Sequence, residues 1–146
     1  MDARLLARMR QLAQLVVVAA GQIIVFEGRP HRHLWCVADG RLVVSKRIRG
    51  EAESLLAHLG PGDLFGEVAI IDHLPAAASV TAEVRSTLWR LDEPVVRALM
   101  RDPDFAWAVL RDLSIKVRQA NHRLGSAVAW SLDATRVGGA TGYGGA

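Results

Sequence analysis

The stretch that decides the fold is "FGEVAIIDHLPAAASV", Phe65 to Val80. It reads as a turn, a Gly-Glu pair, one apolar helical turn and a strand started by Pro75. Gly66 stands at the mouth of the short helix, so the N–H groups of Gly66, Val68 and Ala69 are free to point outward. A helix N-terminus carries about half a positive charge and favours an anion there. Gly66 also lets the backbone come close to such a group. The outline is that of a phosphate cradle.

On both sides of this stretch the texture is β. From Leu15 to Leu91, short apolar runs alternate with glycine: "QLVVVAAG", "QIIVFEG", "HLWCVADG", "RLVVSKRIRG", "SLLAHLGPGD", "SVTAEV" and "STLWRL". Strands so closely spaced predict a sandwich or barrel. Gly21, Gly28, Gly40, Gly50 and Gly62 close the runs, where a turn needs or tolerates positive φ. The Asp39-Gly40 pair between two apolar runs predicts a hairpin.

The ends are helical. Leu5, Met9 and Leu12 make a short amphipathic helix within residues 1–14. After Leu91, Asp92 is placed to cap a helix with Pro94 in its first turn. A second helix spans about Pro103 to Leu124, with Gly125 as its stop. Residues 125–146 are expected to form a flexible, glycine-rich tail. Leu110, Leu113, Val117, Ala120 and Leu124 are spaced 3, 4, 3, 4, an a/d seam suited to a partner helix. Trp107, Val109 and Ile115 lie off the seam and are expected to pack on the sheet.

The 146 residues suffice for one domain, and 51% hydrophobic content makes it globular. The formal charge is +3 and the basic residues are scattered, which argues against nucleic acid as a partner. Cys36 is the only cysteine, so no intrachain disulfide forms and a reducing, cytoplasmic setting is expected. "RMRQLAQLVVVAAGQ" has the outline of an export signal, but its apolar run continues into "QIIVFEG" and reads as strand. No run reaches the ~18 apolar residues of a membrane span.

The segments "AAGQIIVFEGRPHRHLWCVADGRLVV", "LLAHLGPGDLFGEVAII" and "PAAASVTAEVRSTLWRL", followed by a helix pair, resemble the cyclic nucleotide-binding domain family over about residues 15–124. That family includes the sensor half of catabolite activator protein and kinase regulatory subunits. The resemblance implies a mainly β fold with flanking helices. Its centre is a double-stranded β-helix, an eight-stranded jelly-roll-like β-roll at about 15–91, with C-terminal helices at about 92–124. It implies a cyclic nucleotide, cAMP or cGMP, in a site formed by Phe65, Gly66, Glu67, Val68, Ala69, Ala76, Ala77 and Ser79, with Ala57 and Leu59 near the base. Glu67 would grip the ribose 2′-hydroxyl.

One position departs from the pattern. The family reads Pro-Arg-Ala-Ala-(Ser/Thr)-Val, and here Ala76 replaces the arginine that pairs with the cyclic phosphate. Arg85, Arg32 and His73 are candidates to replace that cation, and Arg118, Asn121 and His122 to cap a purine. The expected function is a stand-alone sensor that binds its nucleotide weakly and signals through its C-terminal helices. No cofactor beyond the nucleotide and no membrane partner is expected, and a homodimer or protein partner would use the 103–124 helix. The alternative is a ligand-free scaffold. A metal-binding cupin is suggested by His31 and His33, two apart before a strand. It lacks the glutamate such a motif requires near Val37 and a second matching histidine motif, so the histidines are expected in solvent. Gly-x-Ser-x-Gly, paired zinc and P-loop motifs are absent from the sequence, which argues against an enzyme.

Overall fold

The computed structural model describes residues 2–47 and 53–138, with side chains as far as residue 122. The chain divides into two compact units, Met1–Asp112 and Leu113–Ala146.

The first unit begins with α1 (Ala3–Leu12), whose buried residues are Leu5 and Met9. Asp2 caps it, its Oδ1 accepting from the N–H of Leu5 at 2.9 Å. The strands follow as β1 (Gln14–Val18), β2 (Ile23–Val25), β3 (His33–Asp39), β4 (Leu42–Arg47), β5 (Glu53–Leu59) and β6 (Leu64–Phe65). Then come α2 (Glu67–Asp72), β7 (Ser79–Ala82), β8 (Ser86–Asp92), α3 (Glu93–Leu99) and α4 (Pro103–Gly138), whose first turns belong to this unit.

The eight strands form two antiparallel four-stranded sheets, ordered β1-β8-β3-β6 and β2-β7-β4-β5. This is the mainly β roll with flanking helices that the sequence led us to expect. The interior is apolar: Val25, Trp35, Val37, Leu42, Val80 and Leu88 belong to one buried cluster. Period-two alternation along β3 sends Trp35 and Val37 into that cluster. Leu34 and Cys36, equally buried but outside it, occupy the opposite face. Phe105 and Val109 of α4 are buried as well.

Asp39-Gly40 does not make a hairpin. β3 pairs with β6 and β8 whereas β4 pairs with β5 and β7, so the turn carries the chain from one sheet to the other. Gly40, at φ 109°, passes so close to β8 that a Cβ there would lie 2.1 Å from Ser86 Oγ. That hydroxyl accepts from the N–H of Arg41 at 3.2 Å. Gly21, Gly28 and Gly62 have positive φ, and Gly50 lies outside the described residues. Asp92 occupies the N-cap of α3, but its side chain makes no cap hydrogen bond. Its Oδ1 instead lies 3.3 Å from His33 Nε2.

Two expectations about α4 need correcting. Trp107 is 66% exposed and so does not pack on the sheet, while Phe105 and Val109 are buried; Ile115, in the second unit, is 50% exposed. Nor does Gly125 end the helix, which continues to Gly138. A single interior glycine costs only about 1 kcal/mol, and the Ala-, Val- and Leu-containing run after it sustains the helix. Within the second unit the described residues 113–138 are the continuation of α4. Leu124 of the seam lies beyond the described side chains, and residues 139–146 of the expected tail lie outside the described residues. Among the described residues no helix is long and apolar enough to cross a membrane.

Candidate functional site

The cradle begins where β6 meets α2. Phe65 pairs with Trp35 across the β3–β6 ladder, and their rings stack with centroids 5.9 Å apart and planes 4° from parallel. Gly66 follows at φ 92°, ψ −7°, as the N-cap of α2. A Cβ at this position would sit 2.3 Å from the carbonyl oxygen of His33. Glycine is therefore required twice, by the left-handed backbone and by the approach to β3. Glu67 is the first residue of α2 and is only 3% exposed, so its carboxylate is not aimed into solvent. Ala69 and Ile70 are buried beside it, while Val68 faces outward.

The far end of α2 is held by a basic group. His73 is the C-cap at φ 60°, its N–H donating to Ala69 O at 3.0 Å. Arg32 Nη1 lies 2.6 Å from His73 Nδ1, and Arg97 Nη2 lies 3.3 Å from His73 Nε2. Arg32 and His73 thus engage one another at the end of α2. No contact found for either, or for Arg85, joins it to Ala76.

Ala76 is 8% exposed and belongs to the apolar interior with Trp35, Leu59, Phe65 and Val80. Its backbone is locked to the β2–β3 connection. The N–H of Ala76 donates to Arg29 O at 2.9 Å, and that of Gly28 to Ala76 O at 2.8 Å. Ala77 is exposed and its carbonyl accepts from Lys46 Nζ at 2.8 Å. Lys46 Nζ also lies 3.3 Å from Glu27 Oε2. Ser79 Oγ accepts from the N–H of Glu27 at 3.0 Å. The Arg47 N–H, donating to Glu27 Oε1 at 2.9 Å, leads the interactions that lower the Glu27 pKa below its usual value. An open cavity of about 500 Å³ lies beside these groups, lined by Phe26, Glu27, Gly28, Arg29, Arg47, Glu53 and Ser79.

The fold therefore brings Leu59, Phe65 and Ala76 into one apolar cluster and sets Ser79 beside Glu27. It does not bring Val68 or Ala77 into that interior, and Ala57 is half-buried in its pairing with Val44. The sequence reading missed Arg29 and Lys46. Lys46 reaches Ala77 through its Nζ, whereas Arg29 meets Ala76 only through its backbone carbonyl, its guanidinium lying over the Phe26 ring at 4.6 Å from the centroid; only long-range pairing places them there.

The two histidines are half-buried rather than fully in solvent. His31 Nε2 accepts from Trp35 Nε1 at 2.9 Å. Burial, then the neighbouring His33, pushes its pKa down to about 4. His33 is also lowered, first by burial and then by Arg90. No group of three or more His, Cys, Asp or Glu residues suited to a metal occurs among the described residues. Cys36 is buried, and burial raises its thiol pKa to about 11.

Residues 15–102 match the family described as the cyclic nucleotide-binding domain. The chain is similar to a CRP-like cAMP-activated global transcriptional regulator of Mycobacterium tuberculosis, at 28% identity over 120 residues. The match covers 82% of this chain and 54% of the regulator, so the chain spans about half the length of that relative. Among solved structures it resembles the Thermus thermophilus catabolite activator protein, with 28% identity and a TM-score of 0.76, over 85% of this chain and 59% of that one. It also resembles the regulatory domain of Toxoplasma gondii PKA crystallised with cAMP. That match has 34% identity and a TM-score of 0.60, over 67% of this chain and 37% of that one.

Proposed function

Because the chain belongs to the cyclic nucleotide-binding domain family, we propose that it is a non-catalytic sensor module of a reducing, cytoplasmic compartment that binds cAMP or cGMP weakly. The ligand enters at the turn of Gly66 and Glu67, and occupancy is passed on through α3 and α4. The observation that carries the reading is the buried Glu67 directly after a glycine that the backbone requires. This supports a sugar hydroxyl as partner for the carboxylate and amides of the cradle as partners for the phosphate.

The weakness follows from Ala76. A charge-assisted hydrogen bond is worth about 1.5–3 kcal/mol, so its loss lowers affinity by about one to two decades. Lys46, whose Nζ reaches the carbonyl of Ala77, is the cation best placed to offset part of it. The seam of Leu110, Leu113, Val117 and Ala120 supports pairing with a second copy or a partner protein through the 103–124 helix. Val117 is 59% exposed in the single chain.

A second reading, a ligand-free scaffold, is favoured by one observation: Ala76 completes an apolar interior instead of projecting a charge into it. Calorimetric titration of cAMP and cGMP into wild type and Ala76→Arg separates the two. The sensor reading expects weak binding that Ala76→Arg strengthens tenfold or more. No heat from either protein at millimolar nucleotide establishes the scaffold.

A further inference from the structure

Outside the roll, α2, α3 and the first turns of α4 border a second, partly open cavity of about 380 Å³. That is the size of a small-molecule site. Leu34, Ile70, Ile71, Val96, Met100 and Val109 give it apolar walls, and Arg97 and Arg101 line it as well. Glu67 also contributes to the wall, but its Oε2 has no accessible surface, so that oxygen is shielded from an occupant.

The charge at this edge is unbalanced. Arg97 lies 3.0 Å from Glu93, and Arg32 lies 4.0 Å from the same carboxylate. One acid thus serves two guanidinium groups. Both ring nitrogens of His73 face guanidinium donors. A neutral imidazole has a single acceptor nitrogen, so one of those contacts sets donor against donor. His73 is also the only non-glycine residue with positive φ among the described residues, as the left-handed C-cap of α2. The Arg101 guanidinium has no ion-pair partner among the described residues.

We propose that this cavity is a second ligand site, taking an amphipathic monoanion of the medium-chain carboxylate class. The tail lies against Ile70, Val96, Met100 and Val109, and the carboxylate meets Arg101 and Arg97. An occupant bridges α2, which begins with Glu67, to α3. It therefore couples to the cradle by linkage, whatever the cradle itself binds.

The test is titration of octanoate into the full chain, followed by calorimetry and amide NMR, with octanol and octyltrimethylammonium as controls. Saturable binding is expected, with shifts in α2 and α3. Octanol and the cation should bind about tenfold more weakly or not at all. Arg101→Gln, at an exposed position, should weaken octanoate about tenfold, and Met100→Trp should block it by filling the cavity. Four results overturn the proposal: no saturable binding at millimolar octanoate, equal affinity in Arg101→Gln, shifts confined to the roll, or α2–α3 shifts that depend on protein concentration alone. The last would mean that a second copy fills the cavity.

Discussion

At Gly66 the left-handed backbone and the carbonyl of His33 leave no room for a methyl group. Gly66→Ala should cost about 2–3 kcal/mol, read as a lower urea midpoint; an unchanged midpoint would mean that the turn is not built this way. His31 sets a pH dependence of known sign. Its pKa falls from 6.5 in the unfolded chain to about 4 in the fold, because burial disfavours its charged form. The unfolded state therefore holds the extra proton between these values. Stability is complete above pH 6.5, declines as pH falls towards 4 and levels off below it. Allowing for solvent screening, the loss is on the order of 1–2 kcal/mol. His31→Gln keeps an acceptor for Trp35 but cannot titrate, so its unfolding free energy should fall less over that range than that of wild type. Neither property of His31 was legible in the sequence. Two histidines near a strand resemble metal ligands or solvent groups until the indole N–H of Trp35 is seen to reach one of them.

At the scale of elements, the strands were legible and their partnerships were not. Apolar runs ending in glycine marked the roll because each strand needs an inward face and a turn, both local properties. Asp39-Gly40 has the chemistry of a hairpin turn, but which sheet receives the next strand is decided by the closure of the whole roll. The same limit applies to α4, where Phe105 and Trp107 are both aromatic. Only the neighbours they meet decide that the first is buried and the second exposed. Arg29 and Lys46 escaped notice because residues 28–29 and 46 reach residues 76–77 only through that closure. The seam on α4 carries its own test. Val117→Glu should convert a sedimenting dimer into a monomer while leaving the helical circular dichroism intact. Unchanged sedimentation of a dimeric wild type would remove the seam from the interface.

On the scale of the whole molecule, position 76 links binding to stability. An arginine placed among Trp35, Leu59 and Phe65 without an anion is a buried, unpaired charge, at a cost of about 2–5 kcal/mol. Ala76→Arg should therefore melt below wild type when free and recover on saturation with cyclic nucleotide, as linkage requires. A variant that melts low and ignores nucleotide would show that the interior does not open to a ligand. The pairing of β1 with β8 has a further consequence. Gln14 lies opposite Arg90, and Val18 opposite Ser86, so the first strand of the roll waits for the last. Contacts so distant along the chain slow folding. On the ribosome, a nascent chain that ends before Ser86 must hold β1 without its partner, and the roll can close only after the strand that seals it has left the exit tunnel.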